Sequence, residues 1–370
     1  QSGNYIGGQE VKAFEKAFAT SIGVTHAVGC NSGTDALVLA LRALDIGPGD
    51  EVITCSFSFF ATAEAISSVG AEPVFVDVDP SNYLIDITKL EKKITSATKA
   101  ILPVHLFGCP VDMDQLMLFA RNNALKVIED CAQACGAQWN GRPVGSWGDI
   151  GCFSFFPTKN LGAAGDGGAV TTKDPELSQR MRELAVHGMP RRYFHAELGY
   201  NSRLDAIQAA VLNVKLPNLM RWVKQRQSIA DRYIELLKDI PGLELPENMS
   251  GLNMLHAWNQ FVIRLTRKCS EKLVPGTQAS SLNLGIINVT KDVNFRDWLK
   301  DILHGQGVDT IIYYPIPIHL QPAYKQLGYE AGSLPITEEI CSEVLSLPIF
   351  PEISLEQQKY VVNVIKNLLS

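Results

Sequence analysis

A lysine stands between an aromatic segment and a glycine-rich turn. The segment reads Phe153-Ser-Phe-Phe-Pro-Thr-Lys-Asn-Leu-Gly162, and Gly165-Asp-Gly-Gly168 follows it closely. Most lysines are solvated surface residues, but a lysine held in an apolar setting loses proton affinity through desolvation. It then becomes a nucleophilic amine that can form a Schiff base. Lys159 is therefore a candidate nucleophile, and the Ser154 hydroxyl is placed to donate to an anion bound beside it.

Small and polar residues separate the strand predicted at 25–30 from the helix predicted at 35–44. They read Asn31-Ser-Gly-Thr-Asp35. At such a junction, the backbone N–H groups and the partial positive charge of a helix N-terminus suit a phosphate. Ser32 and Thr34 are also good capping residues, so an ordinary helix cap is the alternative.

An aspartate ends the strand predicted at 126–130. Because an unpaired buried carboxylate is costly, Asp130 needs a partner. A structural arginine or a helix N-terminus would serve, and so would a protonated ring nitrogen of a bound cofactor. Each of the three segments is weak evidence alone. A phosphate loop, a buried aspartate and an enclosed lysine in this order together predict a site for pyridoxal 5′-phosphate (PLP).

Short apolar runs alternate with helical periodicity from residue 25 onward. Strands are predicted at 25–30, 51–55, 72–78, 99–106, 126–130, 149–156 and 168–172, and helices at 35–44, 62–69, 88–94, 112–123 and 175–187. This alternation is typical of crossover units and predicts an α/β fold, with a mostly parallel sheet flanked by helices. Ligands of such sheets bind beyond the C-terminal ends of the strands, where all three segments fall.

The composition changes near residue 240, which predicts a large domain at 1–240 and a smaller α+β domain at 241–370. A helical stretch at 204–238 contains Pro217, so we expect a break there. In the second domain we expect strands at 258–265 and 310–314, helices at 295–304, 338–345 and 355–368, and a surface insertion at 268–294.

The overall composition excludes several classes of protein. The 370 residues contain 33 Lys+Arg and 39 Asp+Glu, a formal net charge of −6, and 46% are hydrophobic. Since there is no basic run, we expect neither nucleic acid nor a membrane as a partner. The eight cysteines form no CxxC pair, which disfavours a disulfide scaffold or zinc cluster, and we expect no metal. We see no secretion signal and expect a cytoplasmic protein.

In combination, the motifs resemble those of the DegT/StrS-type sugar aminotransferases, from about residue 5 to the C-terminus. The resemblance is carried by the Lys159 and Gly165 segments together with Asn31-Ser-Gly-Thr-Asp-Ala-Leu, Gly47-Pro-Gly-Asp-Glu-Val, Glu129-Asp-Cys-Ala-Gln-Ala, Asn201-Ser-Arg-Leu-Asp-Ala-Ile-Gln-Ala-Ala and Tyr314-Pro-Ile-Pro-Ile-His-Leu-Gln. It implies the fold type I architecture of aspartate aminotransferase, PLP as cofactor and a homodimer with shared active sites. It also implies transfer of an amino group, usually from L-glutamate, to a keto group of a nucleotide-linked sugar.

The resemblance also implies roles for individual residues. Lys159 would form the Schiff base and move protons, and Asp130 would pair with the ring nitrogen of the cofactor. The other residues would surround the cofactor and the sugar: Gly33, Thr34 and Ser154 at the phosphate, Phe59 stacked on the ring, Gln133 beside it, Asn201 reaching the neighbouring subunit's phosphate, and Tyr314 and His319 near the sugar. From the residues alone, Phe59 could equally be a core phenylalanine and His319 an ordinary loop histidine.

The motif Asn201-Ser-Arg-Leu-Asp resembles enzymes that act at C3 of dTDP-linked 3-keto-6-deoxyhexoses, which we therefore favour. An enzyme for C4-keto sugars, or for UDP- or GDP-sugars, is the alternative within the family. The related dehydratases carry histidine at the position of Lys159. A non-catalytic regulatory relative would have lost Lys159, Asp130 or the phosphate loop. A nicotinamide dehydrogenase is disfavoured because no GxGxxG follows the first strand.

Overall fold

The computed structural model describes residues 3, 5–247, 253–266 and 294–369. The insertion predicted at 268–294 lies outside these ranges, apart from Asn294. Across the described ranges, none of the helices is both long and apolar enough to cross a bilayer.

A seven-stranded sheet forms the centre of the N-terminal part of the chain. Its strands are β1 (His26–Cys30), β2 (Glu51–Cys55), β3 (Glu72–Val76), β4 (Thr98–Leu102), β5 (Lys126–Asp130), β8 (Ile150–Ser154) and β9 (Gly168–Thr172). They lie in the order β1-β9-β8-β5-β4-β2-β3. The five strands from β8 to β3 run parallel, and β9 pairs antiparallel with both β1 and β8. This mostly parallel, mixed sheet confirms the predicted fold class.

Helices cover both faces of this sheet. They are α1 (Gln9–Ile22), α2 (Gly33–Ala43), α3 (Ala61–Ser68), α4 (Met113–Asn122), α5 (Pro175–Leu184), α6 (Ala206–Lys215) and α7 (Leu219–Leu237). Successive strand residues point to opposite faces. Accordingly, Cys152 packs in the apolar cluster under α2, whereas Phe153 packs in the cluster that contains Phe14 and Phe18 of α1. The sheet is therefore buried on both sides.

The C-terminal part builds a second, antiparallel sheet of three strands. Its elements are β10 (Leu243–Glu244), β12 (Phe261–Leu265), α8 (Phe295–Gly305), α9 (Pro335–Glu343), β13 (Val344–Leu347) and α10 (Leu355–Leu369). The strand order is β10-β12-β13, and apart from α9 these elements share an apolar cluster with α7. Ile340 and Cys341 of α9 pack instead in the cluster under α2. A third small sheet contains β6 (Gln138–Trp139), β7 (Arg142–Pro143) and β11 (Met254–Leu255). The domain boundary at residue 240 stays a prediction.

Several predicted elements end earlier or differ in kind. The strand predicted at 99–106 ends at Leu102, because Pro103 has no N–H to continue the ladder. The helix predicted at 88–94 is two separate 3₁₀ turns. The strand predicted at 310–314 is wrong: only Ile311 pairs, with Ser346, and two prolines follow within six residues. The expected break at Pro217 is confirmed by a 3₁₀ turn between α6 and α7.

A buried carboxylate joins the two parts of the chain. Asp77 follows β3, is 4% exposed, and accepts hydrogen bonds from the N–H groups of Ile336 and Thr337 and from the Thr337 hydroxyl. It therefore caps α9, which belongs to the C-terminal part. Lys89 lies 3.7 Å away and balances the charge.

Replacing this carboxylate should destabilise the protein more than removal of an exposed helix cap. We expect Asp77→Ala to lower the free energy of unfolding by about 2–4 kcal/mol, because it leaves buried N–H groups without an acceptor. Asp174, which caps α5 at the surface, is the matched control, and Asp174→Ala should cost about 1 kcal/mol. Urea denaturation measures both. Equal losses would show that Asp77 contributes no more than an ordinary cap.

Candidate active site

Four chain segments meet at the edge of the large sheet where the parallel strands end. Gly168 of β9 pairs with both Cys30, the last residue of β1, and Ser154, the last residue of β8. Asp130, the last residue of β5, pairs in parallel register with Cys152. The serine and the aspartate predicted from the sequence therefore end neighbouring strands, and β9 alone separates them from the strand that leads into the phosphate loop. This is the edge at which sheets of this type bind ligands.

The loop after β1 forms a cradle closed by glycine. A Cβ atom on Gly33 would lie 2.7 Å from Cβ of Ser154, so no larger residue fits there without displacement. Ser32 caps α2 by accepting the Asp35 N–H at 3.1 Å. In the described part of the chain, the N–H groups of Gly33 and Thr34 have no acceptor. The helix cap and an anion site thus coexist, because they use different N–H groups.

Asp130 is buried, and each of its carboxylate oxygens accepts one hydrogen bond. Thr62 Oγ1 donates to Oδ2 at 2.9 Å, and the Ala132 N–H donates to Oδ1 at 3.1 Å. Burial raises the pKa of Asp130, while these two donors and the nearby Lys159 ammonium act in the opposite direction. Among the described residues no arginine bonds it, so the alternative of a structural arginine partner is not realised.

Lys159 lies in the turn that follows β8, near enough to Asp130 for their charges to attract each other. Its N–H donates to the Phe156 carbonyl at 2.8 Å, and the next side chain holds the turn, since Asn160 Nδ2 donates to the Ala257 carbonyl at 2.7 Å. Burial lowers the pKa of Lys159, and the Asp130 carboxylate partly opposes this. Across the described ranges the Lys159 ammonium makes no hydrogen bond or ion pair. It is an amine with reduced proton affinity and no structural partner.

Three further side chains predicted for the site lie together. Phe59 is 58% exposed, which excludes a core phenylalanine, and its ring centroid lies 6.1 Å from that of Tyr314. Gln133 Nε2 donates to the Tyr314 hydroxyl at 2.8 Å, and Gln133 Oε1 accepts the Phe107 N–H at 2.7 Å. Burial raises the pKa of Tyr314, so its hydroxyl stays protonated. Gln133 and Tyr314 therefore hold each other in place beside the exposed ring of Phe59.

His319 lies behind this group. Its side chain is 0% exposed, Nδ1 lies 2.7 Å from the Ser56 hydroxyl, and Nε2 lies 3.1 Å from the Glu338 carboxylate. The Ser56 hydroxyl also accepts the His319 N–H at 2.9 Å. Both ring nitrogens are thus engaged, and His319 joins the loop after β2 to α9. Direct contact between His319 and a sugar stays a prediction, and this geometry supports a positioning role instead.

Asn201 is exposed on the surface next to the phosphate loop. Its side-chain oxygen accepts from Arg203, and the adjacent Ser202 hydroxyl donates to Asn31 at 3.2 Å. Asn201 borders an open pocket of about 410 Å³ that also contacts Asn31, Asp166 and Gln208. Its predicted reach into a neighbouring subunit stays a prediction.

The residues present fit PLP. The glycine cradle offers free N–H groups and the Ser154 hydroxyl to a phosphate, and Phe59 offers an open aromatic face. Lys159 offers a partner-free amine, and the buried Asp130 carboxylate suits a protonated ring nitrogen. All these groups lie at one sheet edge.

Comparison with known proteins decides the family. The model of the DegT/DnrJ/EryC1/StrS aminotransferase family matches residues 1–275 and 270–366 of the chain. The chain belongs to this family. The aminotransferase uses PLP, as the resemblance predicted.

Two relatives illustrate the range of names in the family. An Acidithiobacillus ferrooxidans protein named UDP-N-acetyl-3-dehydro-alpha-D-glucosamine 3-aminotransferase is 48% identical over 99% of this chain and 90% of its own. A Geobacillus stearothermophilus protein named pleiotropic regulatory protein is 44% identical over 98% of this chain and 90% of its own. The second name states no reaction. Lys159, Asp130 and the phosphate loop, which we expect a non-catalytic relative to have lost, are all present in the aminotransferase described here.

A solved structure confirms the fold. The crystal structure of Streptomyces venezuelae DesV in complex with a ketimine intermediate superimposes with a TM-score of 0.88 at 41% identity, covering 99% of this chain and 90% of that one. The architecture is accordingly that of the fold type I aminotransferases, as expected.

Sequence reasoning missed residues that support the site from behind. Glu129 precedes Asp130, is fully buried, and accepts N–H groups from Gly145, Trp147 and Gly148, each at 2.8 Å, and a contact from His105 Nε2 at 3.1 Å. It thereby fastens the loop before β8. A second missed residue is Thr62, which bonds Asp130. Glutamate in a buried strand was the one available signal for Glu129, because its partners are distant in sequence.

Because the pKa of Asp130 is raised, we expect the stability of the cofactor-free protein to depend on pH. Between the ordinary pKa of aspartate, about 3.9, and the raised native value, the native state binds more protons than the unfolded chain. Stability therefore falls as pH rises through this window. We expect cofactor-free Asp130→Asn to have a higher melting temperature than wild type at pH 7, with the difference shrinking towards pH 4. The exposed Asp301→Asn is the control, and a melting temperature at pH 7 no higher than wild type for Asp130→Asn would contradict the account.

Proposed function

We propose that this aminotransferase moves an amino group from L-glutamate to the C3 keto group of a nucleotide-linked sugar, in the cytoplasm. One observation carries the proposal: a partner-free lysine amine of lowered pKa faces a buried carboxylate at the ligand-binding edge of the sheet. The family and its nucleotide-sugar relatives support the substrate class. The product would serve the synthesis of a cell-surface polysaccharide or a glycosylated metabolite.

Bound PLP supplies an aldehyde that forms imines with amines and a ring that accepts an electron pair. The residues of this chain supply binding and proton transfer. The lowered pKa of Lys159 leaves more of its amine unprotonated near neutral pH, which suits both attack on a carbonyl and movement of a proton at Nζ. The bond from Asn160 to the Ala257 carbonyl holds the turn that carries Lys159.

Asp130 would hold a proton on the ring nitrogen. The Thr62 and Ala132 donors favour its ionised form, and an ionised carboxylate stabilises a neighbouring cation. Gly33, Thr34 and Ser154 would bind the phosphate, and Phe59 would cover the ring. Gln133 and Tyr314 present fixed polar groups on the remaining side, where the sugar would lie.

Two observations bear on the nucleotide that carries the sugar. The Asn201-Ser-Arg-Leu-Asp motif favours a dTDP-linked 3-keto-6-deoxy sugar, whereas the relative at 48% identity is named for a UDP-linked 3-keto sugar. Both agree on C3. A C4-keto sugar is the competing substrate within the family.

A half-reaction screen tests the proposed activity. PLP-loaded protein is mixed with dTDP- and UDP-linked 3-amino and 4-amino sugars, and the visible absorption band of the cofactor is followed. We expect 3-amino sugars to bleach the band and 4-amino sugars to leave it. Lys159→Ala, the control, should show neither a lysine-dependent band nor bleaching. Bleaching by 4-amino sugars alone would show that the enzyme acts at C4. A wild-type band retained in Lys159→Ala would show that Lys159 does not bind the cofactor.

We also propose a homodimer whose active sites are shared. α6 exposes Ile207 and Val214, seven residues apart on one helical face, and Tyr5 and Ile6 are joined to the start of the same helix. These side chains are 53–74% exposed, an apolar surface that suits a second copy of the chain. Asn201 and its open pocket lie in the segment just before α6, so a second copy seated there would bring Asn201 towards an active site.

Hybrid dimers test the shared site. We expect Lys159→Ala and Asn201→Ala homodimers each to lose most activity. A purified hybrid with one subunit of each kind should recover about half of the wild-type turnover, because one of its two sites then has both wild-type residues. If the hybrid stays as inactive as its parents while remaining dimeric, Asn201 acts within its own subunit.

A further inference from the structure

Two hydroxyl groups form a chain that ends on Asp130. The Ser58 hydroxyl lies 2.8 Å from the Thr62 hydroxyl, which lies 2.9 Å from Asp130 Oδ2. The three residues are 4%, 1% and 5% exposed, so water does not compete for these contacts. Ser58 lies in the loop after β2, and Thr62 lies in the first turn of α3.

The direction of the hydrogen bonds follows from the number of protons available. An ionised carboxylate has no proton to give, so Thr62 must donate to Asp130. That uses the single hydroxyl proton of Thr62. Ser58 must therefore donate to Thr62 Oγ1, and the chain runs Ser58 to Thr62 to Asp130. Donors arranged in this way polarise one another, which strengthens the bond to the carboxylate.

The same contacts fix where the carboxylate points. Thr62 of α3 donates a hydrogen bond to Oδ2 of Asp130. The N–H of Ala132, two residues after Asp130, donates to Oδ1 at 3.1 Å. Two fully buried threonines of the sheet satisfy backbone carbonyls instead: Thr54 donates to Leu102, and Thr171 to Gly145. Thr62 gives its proton to the side chain that we propose to pair with the cofactor ring.

We propose that Ser58 and Thr62 are positioning residues that keep Asp130 ionised and aimed, and so set the protonation of the cofactor ring nitrogen. This inference rests on the proposed role of Asp130. Neither hydroxyl touches the cofactor in this account, and both act through the carboxylate. Without the two hydroxyl groups, the remaining surroundings favour a neutral Asp130, because burial is the largest influence on its pKa.

Other titratable groups surround the same carboxylate and must stay unchanged in the test. They come from the strands, loops and C-terminal segment packed around it: Lys159, His105, Cys55, Cys131, Cys152 and Tyr314. The variants therefore change only hydroxyl groups. Thr62→Val removes the donor at constant shape, Thr62→Ser restores a hydroxyl, and Ser58→Ala removes the outer link alone.

The protein offers a matched control at a second buried carboxylate. Thr337 also donates a buried hydroxyl to a buried carboxylate, Asp77, at 2.8 Å. Thr337→Val therefore removes the same kind of bond and reports the general loss of stability. A change seen in Thr62→Val and absent from Thr337→Val belongs to the cofactor site.

The readouts are the dissociation constant of PLP and a pH titration of protein loaded with PLP labelled with ¹⁵N in the ring, followed by the ring-nitrogen chemical shift. In Thr62→Val we expect the midpoint of ring deprotonation to fall by about one pH unit and the dissociation constant to rise about tenfold. Ser58→Ala should shift the midpoint in the same direction by roughly half as much. Thr62→Ser should behave like wild type.

The outcomes separate this inference from the proposed function. A wild-type ring nitrogen that is unprotonated at neutral pH would remove the role of Asp130 and with it the proposed chemistry. A protonated wild-type ring with Thr62→Val and Ser58→Ala unchanged would overturn the hydroxyl chain alone. If Thr62→Val fails to fold, Ser58→Ala against Thr337→Val decides the question.

Discussion

The energetics of the site are governed by a buried carboxylate and a half-buried amine at the same sheet edge. Burial raises the pKa of Asp130 and lowers that of Lys159. The attraction between the two charges offsets part of the desolvation penalty of each. Neither makes an ion pair with the other, and across the described ranges the Lys159 ammonium has no partner at all. The protein thus carries two incompletely compensated groups, which a cofactor with a basic ring and an aldehyde would satisfy together.

The fold makes this arrangement rigid. Asp130 and Ser154 end neighbouring parallel strands, and Gly168 joins Ser154 to the end of β1. Behind them, Glu129 ties the loop before β8 through three N–H groups. His319 of the C-terminal part ties the loop after β2 to helix α9, and Asp77, which follows β3, caps the same helix. The polar contacts that support the site therefore come from both parts of the chain.

The sequence points to the candidate reacting groups more directly than to the residues that support them. Lys159 and Asp130 stand out because a lysine in an aromatic segment and an aspartate ending a buried strand each demand an explanation. Thr62, Glu129 and Ser58 do not, because a buried hydroxyl or carboxylate gains its meaning only from partners far along the chain. The strand expected at 310–314 shows the same limit. The segment has the β-branched residues typical of a strand, but only Ile311 forms a bridge, with Ser346. The exposure of Phe59 likewise emerges only once the loop after β2 is placed.

A crystal structure of the PLP-loaded protein tests the central claim most directly. The account predicts continuous electron density from Lys159 Nζ to the cofactor, an Asp130 oxygen within hydrogen-bonding distance of the ring nitrogen, and the phosphate against the N–H groups of Gly33 and Thr34. A cofactor bound elsewhere, or a ring nitrogen facing away from Asp130, would contradict it.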